Sequence, residues 1–256
     1  MAAMTLRWAA RTDLGMRRNH NEDGYGILED DALVLVADGM GGHAAGEVAS
    51  GLALNEIATF YHAACKTPDL DWPFKREDNL SLVENRVMCG VGLANLRIFE
   101  ASADKGRKGM GTTLVCAAIV GETITIAHVG DSRAYRIRDG EILRLTRDHS
   151  LLEQFKEINP TMTREEENNF PHKNVITRAL GLNDVVEVDL RTHELLPDDR
   201  YLLCTDGLSG HLSDEELLEV TKDAGDLNAA VLELVERANA AGGADNITVV
   251  LVHHAA

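Results

Sequence analysis

The sequence predicts an α/β sandwich in which two central antiparallel β-sheets are flanked by α-helices, in the layer order helix, sheet, sheet, helix. Three observations predict it. Residues 112 to 146 hold four strand-like runs joined by connections too short for a crossover helix, so neighbouring strands run antiparallel. One of these runs, TTLVCAAIV, is almost continuously apolar, as if covered on both faces, whereas an antiparallel sheet ordinarily leaves one face wet. Long helical stretches elsewhere are available for the outer layers.

In chain order, DALVLVAD reads as a strand and AGEVASGLALNEIATFYHAAC after it as a helix. A second helix covers about 79 to 102, where Leu80, Val83, Val87, Val91, Ala94 and Ile98 recur at three- and four-residue steps. A meander follows: TTLVCAAIV, a Gly-Glu turn, TITIAHV, SRAYRIR, an Asp139-Gly140 hairpin and EILRLT. Residues 147 to 174 are polar, contain two prolines and a capping box at Thr163 to Glu166, and form a surface excursion with short helices. Strands resume at VEVDLRTHELL and YLLCTD. A capped helix opens at Ser213-Asp214-Glu215-Glu216, another runs from about 226 to 240, and NITVVLVHH closes the fold as a strand. No linker divides the chain, so residues 1–256 are expected to form one domain.

Composition narrows the function classes. Of 256 residues, 45% are hydrophobic, enough for a substantial core, and the formal charge is −17. That charge argues against nucleic acid or an anionic membrane as the main partner. The four cysteines form no C-x-x-C pair and lie in apolar segments, as reduced core thiols do. No stretch has the character of a signal peptide or a membrane span, so a cytoplasmic location is expected.

Four aspartates fall near strand ends: Asp38 in VADGMGG, Asp131 in HVGDSR, Asp206 in CTDGL and Asp245 in GADNITVV; Glu22 and Asp23 lie in RRNHNED. Each alone reads as a turn or cap residue. Together they form an oxygen-only set suited to Mg²⁺ or Mn²⁺, and no cysteine–histidine spacing suggests zinc. Two such ions about 3.5–4 Å apart activate a water for in-line attack on a phosphoester. The substrate phosphate then needs a cation, for which Arg18 and the adjacent Arg17 are equally basic candidates.

R-x-x-x-E-D at 18 to 23, DGMGG at 38 to 42, GDSR at 130 to 133, TDG at 205 to 207 and DN at 245 to 246 occur in this order. The set resembles the PP2C (PPM) family of metal-dependent serine/threonine protein phosphatases in its compact bacterial form, from about residue 8 to 252. The resemblance implies that Asp38 bridges two Mn²⁺ or Mg²⁺ ions and that the Gly39 carbonyl binds one of them. It implies that Asp206 and Asp245 bind the other ion, and that Glu22 and Asp23 hold metal-bound waters, directly or from behind. It places Asp131, with Asp206, at a third ion, and Arg18 on the phosphate. Residues 147 to 174 correspond to the family's variable flap. Animal members carry a histidine immediately after Asp-Gly, proposed as the general acid; Met40 stands there instead, and His43 is either the proton donor or a cap of the following helix. His20 and His149 are expected in solvated loops. Implied partners are phosphorylated proteins, among them serine/threonine kinases and their substrates, acted on by a monomer.

Two other readings compete. GMGGHA at 39 to 44 fits a dinucleotide-binding G-x-G-x-x-A, but Asp38 would repel a pyrophosphate and no second parallel strand follows. A non-catalytic phosphoprotein-binding regulator on the same fold would have lost metal ligands, and none of the expected acids is missing.

Overall fold

The computed structural model describes residues 5–41, 45–67, 69–104, 106–172 and 174–255. The first sheet is built from β1 (Thr5–Asp13), β7 (Arg133–Arg138), β8 (Glu141–Arg144), β10 (Arg200–Cys204) and β11 (Ile247–Ala255), in the order β1-β11-β10-β7-β8. The second contains β2 (Asp23–Leu28), β3 (Leu33–Met40), β5 (Leu114–Val120), β6 (Thr123–Val129) and β9 (Asp189–Glu194) in that order, with the short β4 (Gly111–Thr112) paired to the end of β3. Every strand pairing is antiparallel. This removes the parallel βαβ unit that a dinucleotide site needs.

The helices α1 (Ala45–Lys66) and α2 (Leu82–Ala101) cover the second sheet, and α5 (Asp206–Ser209), α6 (Asp214–Thr221) and α7 (Leu227–Ala240) accompany the first. Strand alternation explains why the strand sequences are so oily. Leu33 and Leu35 of β3 pack under α1 and α2, while Val34 and Val36 point between the sheets onto Tyr201, Leu203 and Val250. With both faces buried, polar alternation has no place. Each such fully buried side chain contributes about 1.5–3 kcal/mol.

Local signals set the helix ends. Ser81, Thr163 and Ser213 close capping boxes with Glu84, Glu166 and Glu216, starting α2, the short α4 (Arg164–Asn168) and α6. Asp226 caps α7. In the 147 to 174 excursion α4 follows α3 (Leu151–Ile158), and the excursion is tied down at both ends, by Leu151 N–H to the Val175 carbonyl and Thr177 N–H to the His149 carbonyl.

The structure corrects the meander in one respect. β5 and β6 belong to the second sheet, but β7 and β8 belong to the first, so the chain changes sheets at Gly130–Ser132. The turn at Asp139-Gly140 is a true hairpin, with φ of 53° and 76° at its two residues as a type I′ turn requires. Cys89, Cys116 and Cys204 are buried and Cys65 half-buried, all as free thiols. No helix among the described residues is long and apolar enough to cross a membrane.

Candidate metal centre

One end of the sandwich gathers the acids. Asp38 sits two residues before the end of β3, paired in register with Asp23 at the start of β2. Asp131 follows β6, Asp206 follows β10 and opens α5, and Asp245 lies two residues before β11. Arg18, Glu22, Asp38, Gly39, Asp131, Asp206 and Asp245 all line one cleft of about 260 Å³, and Asp23, half-buried, stands beside Asp38 in the neighbouring strand. Residues more than 200 apart in the chain thus share a single concavity. His43 lies outside the described residues; Met40 lines the cleft.

Backbone contacts fix the carboxylates in place. The Asp38 N–H donates to Thr113 Oγ1 at 3.1 Å, and its carbonyl accepts from Thr112 Oγ1 at 2.9 Å and from the Thr113 N–H at 2.8 Å. The Gly39 N–H donates to the Glu22 carbonyl at 3.1 Å, and Glu22 Oε1 accepts from the Gly46 N–H at 3.2 Å. Asn246 joins three segments: its Oδ1 accepts from the Glu22 N–H at 2.8 Å, and its Nδ2 donates to the Leu14 and His20 carbonyls. Thr205 Oγ1 donates to Asp23 Oδ2 at 2.9 Å while accepting from the Thr248 N–H. At the rim Arg18 donates to Asp245 Oδ2 at 2.5 Å; Arg18 is half exposed and Asp245 one-third.

Another buried aspartate provides a contrast. Asp199 is fully buried, but Arg138 grips it with two 2.6 Å hydrogen bonds, and the Leu196 N–H and Tyr201 hydroxyl supply two more. Its charge is neutralised. Among the cleft acids Asp245 has Arg18, whereas Asp38, Asp131 and Asp206 form no ion pair with any described residue. Burial, then the charges of Asp23, Asp206, Asp131 and Asp245, push the Asp38 carboxyl well above the usual carboxylate range. Burial also lifts Asp23 to about 7, against two threonine hydrogen bonds, with Asp206 and Asp245 adding to the rise. Asp131 likewise rises to about 7, by burial and then by Asp206 and Asp148. Asp206 is raised by burial and Asp245, and its Oδ1 is buried with no hydrogen-bond partner. Carboxylates packed together without a counter-charge, one with a bare oxygen, fit a hard divalent cation.

Neighbouring residues form a brace that the sequence did not reveal. Arg133 holds Asp148 through three contacts of 2.6–3.2 Å, and the Gly130 N–H donates to His149 Nδ1 at 3.0 Å. His149 is therefore not in a solvated loop: its side chain is only 9% exposed, stacks on His128, and braces the turn that carries Asp131. His20 contributes its backbone carbonyl alone. Ligand atoms of His128, His149 and Asp189 all lie within 4.8 Å of one another. A guanidinium already supplies the positive charge there: Arg178 NH1 donates to Asp189 Oδ1 at 2.7 Å and lies 3.0 Å from His149 Nε2. His128 Nε2 donates to the Arg147 carbonyl, so its lone pair points elsewhere. Burial, then His128 and Arg178, hold His149 down to about 4. This group is an arginine-centred network.

Asn174 and Ile176, from the returning leg of the excursion, also line the cleft. Asn246 and Thr205 adjoin aspartates that the sequence singles out, which is the only sequence signal for them.

The sequence profile of the Protein phosphatase 2C family matches residues 17–251. The chain belongs to that family. The serine/threonine phosphatase stp of Listeria monocytogenes is 36% identical over 245 residues, spanning 94% of this chain and 93% of the relative. The crystal structure of the Mycobacterium tuberculosis serine/threonine phosphatase PstP/Ppp is 37% identical, with a TM-score of 0.82, over 98% of this chain and 99% of that one. A structure of the catalytic domain of PstP in complex with two manganese ions is 35% identical, with a TM-score of 0.81, over 99% of this chain and all of that one. The complete PstP of M. tuberculosis is longer: this chain covers 45% of it. Protein phosphatase 2C membership agrees with the two-sheet architecture and leaves the dinucleotide reading without support.

Proposed function

We propose that this chain is a metal-dependent protein serine/threonine phosphatase, a single catalytic domain with a flap at 147 to 174, whose cleft carboxylates hold two or three Mn²⁺ or Mg²⁺ ions. The observation that carries the reading is the convergence of Asp38, Asp131, Asp206 and Asp245 in one cleft, where a single half-exposed arginine, Arg18, pairs with Asp245 alone. Asp38 and the Gly39 carbonyl, together with Asp206 and Asp245, are the proposed direct ligands. Asp131 with Asp206 holds the third ion, and Glu22 and Asp23 hold metal-bound waters, directly or from behind. When bound, the ions supply an acidic water and neutralise charge that develops on the phosphoryl oxygens.

The chain's own residues do the rest. Arg18 stands at the rim on a flexible stem, and its paired N–H groups match two phosphoryl oxygens. Binding phosphate exchanges one anionic partner, Asp245, for another, so the guanidinium is never left bare. The overall charge of −17 opposes an anionic substrate, and attraction must come from this local site. For His43 two roles are proposed, proton donor to the leaving alkoxide or cap of the following helix, while Met40 lines the cleft. The proposed substrates are phosphorylated proteins, including serine/threonine kinases and their targets, met in the cytoplasm by a monomer.

Hydrolysis of a phosphothreonine peptide, assayed with added Mn²⁺ and again after EDTA, tests the reading. Turnover with Mn²⁺ and none with EDTA is expected; turnover that survives EDTA overturns it. Arg18→Ala is expected to lower kcat/KM by about 10- to 100-fold, the scale of one lost charge-assisted contact. The Mn²⁺ activation constant should persist in that variant. Unchanged kcat and KM would remove Arg18 from the phosphate site.

A further inference from the structure

Asp38 and Thr113 stand opposite one another where β3 passes from β5 to β4, since Val36 pairs with Val115 on one side and Gly39 with Thr112 on the other. A hydrogen-bonded antiparallel pair exchanges two backbone bonds. Only one forms here: the Thr113 N–H donates to the Asp38 carbonyl at 2.8 Å. The Asp38 N–H goes instead to the side chain, Thr113 Oγ1, at 3.1 Å. Thr112 Oγ1 lies 2.9 Å from the Thr113 carbonyl, where that N–H would have come. The ladder is thus opened at the residue whose carboxylate enters the cleft.

Thr113 also reaches a second acid-bearing segment. Its Oγ1 lies 2.7 Å from Ser132 Oγ, and Ser132 follows Asp131 directly. On the other flank of Asp131, Gly130 has a φ of 103°, and a Cβ there would lie 2.7 Å from Thr113 Cβ and Cγ2. Both neighbours of Asp131 therefore rest on one threonine. Thr113 is 3% exposed and Ser132 1%, and the Ser132 hydroxyl has no other partner among the described residues. Stability alone does not call for this pair, because replacing two mutually bonded buried groups by apolar ones of the same shape is nearly neutral. Two hydroxyls supply what apolar groups cannot, a set oxygen–oxygen distance with a preferred direction at each end.

We propose that Thr113 and Ser132 form a two-hydroxyl strut that sets the spacing of Asp38 and Asp131, and so are positioning residues of the metal centre. This role rests on the reading of those aspartates as ligands of a metal-dependent phosphatase. Thr113 lines the cleft, but its hydroxyl is engaged on both sides, by the Asp38 N–H and by Ser132, so it acts through the aspartates and not as a ligand itself. Without the hydroxyl the ladder is free to close in the ordinary way. In Thr113→Val the Asp38 N–H returns to the backbone carbonyl at position 113, which keeps the strands paired and carries the carboxylate out of place. The methyl groups of valine preserve the packing against Gly130.

The test is calorimetric titration of the cation-free chain with Mn²⁺ in the absence of substrate, beside thermal unfolding in EDTA. Thr113→Val is expected to weaken Mn²⁺ binding about tenfold or more, the scale of one buried hydrogen bond. Thr113→Ser, which keeps the hydroxyl, should bind like the wild type. Ser132→Ala cuts the strut at its other end without touching Asp38, and keeps the test valid should Thr113→Val unfold. It should weaken binding too, and the double variant should bind no more weakly than Thr113→Val alone, because both substitutions break the same bond. An unfolding midpoint in EDTA that falls while Mn²⁺ affinity stays at the wild-type value would make the pair a stability device and overturn the proposal. So would a Thr113→Ser variant as weak as Thr113→Val, or losses from Thr113→Val and Ser132→Ala that simply add. Phosphothreonine-peptide turnover separates these outcomes from failure of the reading beneath them. A wild type that binds Mn²⁺, shows the expected variant pattern and hydrolyses no peptide strikes the phosphatase reading and leaves the strut standing. A wild type that binds no Mn²⁺ strikes both.

Discussion

Asp38→Asn is expected to reduce turnover by a factor on the order of 10³ or more, while leaving the cation-free protein at least as stable as the wild type. The two effects share one cause. The carboxylate is half-buried at the cleft and surrounded by Asp23, Asp206, Asp131 and Asp245, so its charge is a liability until a cation arrives. Its backbone contacts with Thr112 and Thr113 do not involve the carboxylate and survive the substitution. An amide of the same size removes the repulsion and the bridging ligand together. Thermal unfolding should therefore show a large upward shift with Mn²⁺ for the wild type and a much smaller one for the variant. Wild-type turnover in Asp38→Asn would exclude Asp38 from the metal centre.

The same repulsion sets an unusual pH dependence. Asp23 and Asp131 both titrate near 7 in the folded chain, above their ordinary value of 3.8. Between those limits the folded state binds protons that the unfolded state has released, so stability falls as pH rises. In EDTA, the unfolding midpoint is expected to decline from about pH 4 to about pH 7 as far as these groups govern it. Saturating Mn²⁺ should flatten or reverse that slope. A midpoint in EDTA that rises steadily across this window would show that the acids are not repelling one another.

Much of this architecture is legible in the residues. Oily runs without alternation announce strands covered on both faces, and Ser81, Thr163 and Ser213 mark helix starts by chemistry confined to one turn. The change of sheet at Gly130–Ser132 is not legible, because β6 and β7 both read as strands joined by a short connection and only long-range packing assigns them to different sheets. β1 and β2 also carry weak signals: β1 is a sheet edge with exposed alternate residues, and β2 contains two glycines. At the cleft, the acids stand out because carboxylates next to apolar strands demand a reason. The residues that brace them do not. Asn246, Thr205 and His149 act through hydrogen bonds to groups distant in sequence, and a lone polar residue carries no sign of its partners.

Three of the four Asp-Gly pairs, at 38–39, 139–140 and 206–207, separate these two kinds of information, and Gly207→Ala should do so experimentally. Gly140 occupies a left-handed turn with open space around it, so alanine there costs about 1 kcal/mol of backbone strain and should leave activity intact. Gly207 needs no unusual φ; a Cβ there would lie 1.9 Å from the Asn246 carbonyl oxygen and 2.8 Å from its carbon. Gly39 is similarly confined, with the Gly46 carbonyl oxygen 2.1 Å and the Glu22 carbonyl oxygen 2.6 Å from its would-be Cβ. In both cases the obstacle is backbone, which cannot rotate aside as a side chain could. These glycines let the Asp206 turn press against the Asp245–Asn246 segment, and let Asp38 lie against the segment that carries Glu22. Gly207→Ala must push apart two of the strands' acidic ends. It is expected to cost about 3 kcal/mol or more, lowering Tm by about 10 °C for a chain of this size. Mn²⁺-dependent turnover should fall even well below that Tm, because Asp206 and Asp245 no longer converge. Equal melting temperatures for Gly207→Ala and Gly140→Ala would mean that both glycines serve turns alone, and that close approach of the two segments is not what gathers the carboxylates.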